Sequence, residues 1–316
     1  MTIFKALRAN IVTPLVLMSC IPVAAQTRTV ALTFDDLPVA ATKGPAEAQS
    51  VNRALLDALK KHHASAIGFV NEKTIEELGS DNGKRILEQW VGEGFDLGNH
   101  TFSHADLNNI TLEQFKQEVV TGEGSFRPIL AEEGKTPRFL RFPFNHTGDT
   151  EEKHDFAAAF LKQRGYEVAA CTIDNEDYLF NAAYIQMLAK KDDASAAKLR
   201  AAYLAYTAVE IEYYASLHEK IFGREIPQVM LLHANRLNAD VIDEILVIFE
   251  KKQYRFVSLE AAQSDPAYRV PDTFVTKFGP MWGYRWAKEL DIKVDGSLES
   301  EPPAWIAQYG KEPAKR

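Results

Sequence analysis

The chain has only two cysteines, Cys20 and Cys171, in 316 residues, so at most one disulfide can form. It has a deficit of positive charge, with 36 Lys and Arg against 44 Asp and Glu and a net charge of −8. That balance argues against a nucleic-acid or anionic-membrane partner and suits neutral or cationic material. No stretch after the N-terminus is apolar enough to span a bilayer. Internal repeats and low-complexity segments are also lacking, which argues against a solenoid or an extended tail. What is abundant is apolar material, 46% of the residues, enough for a substantial core.

Residues 1–25 have the layout of a secretory signal peptide. Lys5 and Arg8 give a positive start, residues 11–21 an apolar stretch too short to span a membrane, and Val23-Ala24-Ala25 a small-residue cleavage site. An uncleaved N-terminal anchor is the alternative, and Leu17-Met18-Ser19-Cys20 fits a lipoprotein signal poorly because of Met18. Cleavage removes two cations and Cys20. The exported chain is then more acidic, cannot form an internal disulfide, and depends on its core for stability. Cys171 lies in an apolar run and reads as a buried, inert thiol. Export predicts a periplasmic or secreted protein with no stable membrane insertion after cleavage.

Seven apolar, β-rich runs recur: residues 29–34, 66–70, 95–98, 138–142, 166–173, 228–232 and 254–258. Helix-like sequence separates them, as at 46–62, 83–92, 111–132 and 240–252, and Thr111 with Gln114 suits a capping box. Strand and helix alternating in this way predict an α/β protein with a mostly parallel sheet. Polar residues follow the strands, and that end carries the active site in barrels and open sheets alike. A barrel is preferred, because five runs deliver reactive residues to one face. Two segments break the rhythm. Residues 181–224 form an insertion with a long amphipathic helix, in which Leu199, Tyr203, Tyr206, Val209, Tyr213, Leu217 and Ile221 fall on one stripe. That stripe is either a face packed on the barrel or a sugar-stacking platform. The irregular tail 266–316 carries Trp282, Tyr284, Trp286 and Trp305, which either line a glycan groove or pin the tail down.

Asp35-Asp36 ends the first apolar run, and His100-x3-His104 follows the third. Two imidazoles at this spacing can share an ion, and neighbouring carboxylates at a strand end point in different directions. One carboxylate can therefore hold a metal while the other faces substrate. Two His, one Asp and water are a known catalytic zinc shell. Arg141-Phe142-Pro143-Phe144 adds a fixed cation and a rigid turn, and a guanidinium can orient a carboxylate. Asp174 and Asp177 follow the fifth run, and His233 ends Leu231-Leu232.

Thr33-Phe34-Asp35-Asp36, His100-x3-His104, Arg141-x-Pro143-Phe144, Asp174-x-x-Asp177-Tyr178 and Leu231-Leu232-His233 occur in the order of the five motifs of the polysaccharide deacetylase (NodB-homology, carbohydrate esterase family 4) enzymes. The resemblance covers about residues 28–262. It implies a distorted (β/α)7 barrel over 26–265, carrying the helical insertion and followed by the tail. It also implies removal of acetyl groups from sugar polymers. By motif position Asp36, His100 and His104 would bind a divalent metal, usually zinc. Asp35 would be the base, His233 the acid, and Arg141 would orient Asp35. Asp177 or Asp174 would tune Arg141 or His233. The Phe144 N–H would meet the oxyanion, while Leu231 and Tyr178 would shape the acyl pocket. The chain departs from the family in having Phe144 where Tyr is common and Tyr178 where Trp is usual. The resulting expectation is an exported, metal-dependent N-deacetylase of a GlcNAc-containing glycan, peptidoglycan or chitin-type oligosaccharide. A hydrolase of a non-sugar amide and a silent glycan-binding module are the alternatives. Asn145 and His146 are further candidates to contact sugar hydroxyls.

Overall fold

The computed structural model describes residues 28–41 and 44–310. The leader expected over 1–25 lies outside the described residues. Seven strands form one sheet: β1 Thr29–Leu37, β2 Ala66–Val70, β3 Asp96–Asn99, β4 Phe139–Leu140, β5 Glu167–Val168, β6 Gln228–His233 and β7 Arg255–Phe256. Each falls on one of the seven apolar runs. All pairings are parallel, in the order β5-β4-β3-β2-β1-β6, with β7 on the start of β1. The chain leaving β5 bridges to β6 at Ile173 and Met230. The Thr172 and Ile173 N–H groups donate to the Val229 carbonyl, and the Leu231 N–H donates to that of Ile173. The two edges of the sheet therefore meet, and the fold is the expected distorted (β/α) barrel.

Alternation along β1 divides its side chains between two environments. Val30, Leu32 and Phe34 pack outward into the large core shared with the helices. Ala31 joins a compact interior cluster with Ile67, Phe69, Phe139, Ala169 and Val229. Thr33 comes next on that inner side and accepts a hydrogen bond from Arg141 Nη2 at 3.1 Å. Asp35 follows, at the mouth. One strand thus carries an apolar floor, a polar layer and a reactive carboxylate in three alternate positions.

Helix boundaries follow local chemistry. Thr111 and Gln114 cap Leu112–Thr121 reciprocally, as a capping box should. Asn235, two residues past the end of β6, caps Arg236–Lys251. The segment 181–224 holds the end of helix Asp177–Ala189 and the 30-residue helix Asp193–Phe222. In the long helix Leu199, Tyr203, Tyr206, Leu217 and Ile221 are buried as the stripe predicts, but Val209 is 51% exposed and Tyr213 only half-buried. The buried row instead runs through Thr207, Glu210, Ile211, Tyr214 and His218. Apolar residues occur around most of this helix, so spacing alone did not single out the inner face. Its tyrosines bond inside the body: the Tyr203 hydroxyl donates to Asn238 Oδ1 at 2.7 Å.

The tail forms helix Trp282–Glu289 and a last helix, Ala304–Gly310. Trp286 is buried, with ring centroids 5.3 Å from Phe222, 5.7 Å from His218 and 5.2 Å from Tyr268. Trp282 is buried too. Tyr284 bonds Tyr213 at 2.6 Å, and Lys198 sits over the Trp305 ring. No helix among the described residues is long and apolar enough to cross a membrane.

Candidate active site

The C-terminal ends of β1, β3, β4 and β6, the segment after β5, helix Asp177–Ala189 and the tail enclose a cavity of about 540 Å³. Its lining includes Asp35, Asp36, His100, His104, Phe144, Asp174, Tyr178, Leu231 and His233. Sequence reading missed Glu176, Asn181, Ile185, Gly279 and Met281, which also line it. Asn145 lines the cavity, whereas His146 is held by Asp106 Oδ1 at 2.8 Å.

The local backbone is unusual at this end of the barrel. Asp36, Thr101, His104, Phe144, Asn145 and Glu176 all have φ between 53° and 66°. Left-handed non-glycine residues cost free energy and persist only where their surroundings hold them. Their effect at the mouth is to turn successive side chains in different directions. At the end of β1 this separates Asp35, 4% exposed, from Asp36, which is more open.

Asp36, His100 and His104 can each offer one ligand atom, all within 4.8 Å of one another. The Asp36 Oδ1 atom lies 3.6 Å from His100 Nε2 and 3.7 Å from His104 Nε2. Bonds of about 2.05 Å at a tetrahedral angle separate neighbouring ligand atoms by roughly 3.4 Å, so Asp36 stands close to the spacing of a tetrahedral shell from each imidazole. His100 is pre-set for this task. Its Nδ1 faces the Arg141 carbonyl at 2.8 Å, which fixes the tautomer and leaves Nε2 free for an ion. Burial, with His104 adding to it, holds the His100 imidazole well below its ordinary pKa, in the neutral form a metal requires.

Asp35 lies beside this group, its Oδ2 3.8 Å from His100 Nε2 and 3.4 Å from Arg141 Nη1. Arg141 is fully buried; it also donates to the Ala169 carbonyl and lies over the Phe69 ring. Burial raises the Asp35 pKa, against the opposing pull of Arg141 and His233. Arg141 therefore orients Asp35 without fully offsetting its desolvation.

His233 completes the constellation. Asp177 accepts from its backbone N–H at 2.8 Å and meets its Nδ1 at 2.6 Å. Asn235 and Asn238 also donate to Asp177. Burial alone would lower the His233 pKa, but Asp177, then Asp36 and Asp35, raise it to about 10. Burial would likewise raise Asp177, yet His233 holds it below the ordinary range. Asp174 plays a different part. Its Oδ1 accepts the Glu176 N–H, and burial followed by Glu176 raises it to about 7. The Asn235-x-x-Asn238 pair was a visible capping signal, but nothing in the sequence tied it to Asp177.

The wall residues frame the mouth. Leu231 is buried, while Phe144 and Tyr178 are 55% and 53% exposed. The Phe144 ring lies 4.6 Å from that of His104, and Tyr178 6.4 Å from His233.

Residues 23–169 match the family described as polysaccharide deacetylase. A chitin deacetylase of Arthroderma benhamiae is 32% identical over 150 residues, 48% of this chain and 35% of the relative. A peptidoglycan-N-acetylglucosamine deacetylase of Bacillus cereus is 24% identical over 149 residues, 47% and 46% of the two chains. The matched stretch thus spans less than half the length of these curated relatives. Among solved structures, a polysaccharide deacetylase of Bacillus cereus aligns with a TM-score of 0.51 at 22% identity, over 73% of this chain and 91% of the other. A carbohydrate esterase family 4 pseudoenzyme of Bacillus anthracis aligns at 0.50 and 13% identity, over 75% and 65%. Residues 23–169 thus match the polysaccharide deacetylase family, and the barrel is the fold that these solved structures share.

Proposed function

We propose that the protein is a metal-dependent deacetylase of a GlcNAc-containing glycan, of the chitin or peptidoglycan type. One observation carries the reading. The ligand set Asp36–His100–His104 shares a cavity with an Arg-oriented carboxylate, Asp35, and with a carboxylate-backed imidazole, His233. A glycan-binding module has no use for that combination. The relatives' named substrates and the family match support the choice of glycan.

The residues divide the work. Asp36, His100 and His104 would hold a divalent cation, zinc by its donor set. Such an ion supplies a Lewis acid that polarises an acyl carbonyl and makes water acidic near neutral pH. Asp35 takes the proton from the attacking water, with Arg141 fixing the direction of its carboxylate. The Phe144 N–H donates to the oxyanion as the carbonyl becomes tetrahedral. His233, held protonated by Asp177, passes its proton to the departing sugar nitrogen. Leu231 and Tyr178 enclose the acetyl methyl. The N-terminal sequence supports export to the periplasm or the exterior, where such polymers lie.

The test is acetate release by the purified full chain from chitooligosaccharides and from peptidoglycan fragments, each with zinc and with a chelator. Chelator-sensitive release from either glycan establishes the activity and its substrate class. Absence of release from both, with metal bound to the chain, rejects it.

A further inference from the structure

The tail lies outside the family match, yet it reaches the reaction site. Residues Gly279 and Met281 line the cavity, and the chain at Gly279 lies directly against the loop Pro143–Asn145. A Cβ on Gly279 would stand 1.8 Å from the Phe144 carbonyl oxygen and 2.9 Å from its carbon. Here glycine is demanded by backbone approach. Six residues further on, Arg285 is 1% exposed and makes four polar contacts. It donates to the Asn145 carbonyl, Thr147 Oγ1 and Asp272 Oδ2, each at 2.8 Å, and to the Pro280 carbonyl at 3.0 Å. Its guanidinium lies 4.6 Å above the Trp282 ring. The Trp282 N–H donates to the Cys171 carbonyl at 2.8 Å, fastening the same segment to the chain beyond β5.

What this segment grips is a strained loop. Phe144 and Asn145 both have left-handed φ, 59° and 54°, and neither is glycine. Two such residues in succession need external restraint. Arg285 binds the Asn145 carbonyl at the end of the strained pair, and Gly279 abuts the Phe144 carbonyl between its two residues. The Gly279 contact falls on the peptide unit directly after the one that carries the Phe144 N–H, and the Arg285 contact on the unit after that. A planar guanidinium can hold four acceptors at fixed angles, which a lysine ammonium cannot.

We infer that Gly279 and Arg285 of the tail are positioning residues for the deacetylation reaction, holding Phe144–Asn145 in the conformation that aims the Phe144 N–H at the reacting carbonyl. The tail is on this account a working wall of the active site. The inference rests on the deacetylase reading, and its test separates the two.

Wild type, Gly279→Ala and Arg285→Lys are compared in the full chain on an acetylated chitooligosaccharide and on an acetylated peptidoglycan fragment. Metal content and thermal melting are measured on the same samples. A misaimed oxyanion donor costs about 100-fold in rate, so each variant should lose about 100-fold in kcat per metal-loaded chain, with KM within about threefold. A fall of less than about tenfold in both, or a rise in KM with kcat unchanged, overturns the inference. If Gly279→Ala does not fold, Arg285→Lys gives the same reading with the local charge kept. If neither binds metal, the segment holds the whole barrel and the positioning role is wrong. A wild type inactive on both substrates overturns the deacetylase reading first, which is a different result from active wild type with active variants.

Discussion

Asp177 binds His233 twice, taking its backbone N–H with one carboxylate oxygen and its ring Nδ1 with the other. The pair therefore fixes both the position of the imidazole and its charge. Asp177→Asn should keep much of the geometry and lose the charge. The alkaline limb of the kcat profile should then move down from near pH 10 toward the ordinary imidazole value of 6.5. At neutral pH kcat should fall by about 100-fold. A pH–rate series on wild type and variant decides it, and an unmoved limb would remove Asp177 from its proposed role.

The same pair makes stability depend on pH in a defined window. His233 titrates near 10 in the folded chain against 6.5 as a free imidazole, so its contribution is complete below 6.5 and is lost as pH rises toward 10. Asp177 is depressed, so its contribution is present above 3.8 and is lost as acid protonates it below that. Melting temperature of the wild type should hold between these limits and decline on either side. Asp177→Asn should flatten the alkaline decline. An equally steep decline in the variant would assign the effect elsewhere.

Asp35 and Asp36 are neighbours with separate duties under the proposed mechanism. Asp35→Asn should lower kcat by about 100-fold or more and leave metal bound, because only Asp36 belongs to the compact ligand set. Titration calorimetry with zinc, run beside acetate release, distinguishes the two. Loss of metal with Asp35→Asn would mean that the roles are exchanged.

His104→Ala removes one of three ligands and should abolish metal binding and turnover together. Because a bound ion stabilises only the folded chain, zinc at about 100 times its Kd should add about 2.7 kcal/mol to the wild type. The variant should show no zinc-dependent rise in melting temperature. Full activity in His104→Ala would refute the ligand assignment.

The inner face of the long helix can be checked by two truncations. Trp286→Ala should cost about 3–5 kcal/mol, since that ring is buried against Phe222, His218 and Tyr268. Val209→Ala should change stability by less than about 0.5 kcal/mol, because Val209 faces solvent. Urea unfolding of both variants measures the contrast, and a large cost at Val209 would contradict the helix orientation described above.

The barrel was readable because its signals are local. Each strand is a short apolar run, and Asp35, His100, Arg141 and His233 stand within a residue or two of a strand end. A run of that kind needs no knowledge of its neighbours. The face of helix Asp193–Phe222 was less readable, because Glu210 and His218 are buried while Val209 is not. Tertiary packing chose among several apolar faces. Gly279, Met281 and Arg285 were illegible for a stronger reason. Gly279 and Arg285 meet the loop around Phe144, and Met281 reaches the cavity, from more than 100 positions away, and no period or spacing encodes that approach. The desolvation of Asp35 was likewise illegible, because burial, visible only in three dimensions, raises its pKa against the pull of Arg141.

Ala31, Thr33 and Asp35 share the inner side of β1, while Val30, Leu32 and Phe34 supply the outer core. Insertion or deletion of a single residue within that strand would exchange the two sets wholesale. The reactive carboxylate would leave the mouth in the same event that drove Phe34 into the barrel and Ala31 out to the helices. A lineage carrying such a lesion would lose its fold together with its chemistry, so the position of Asp35 is guarded by every apolar contact the strand makes.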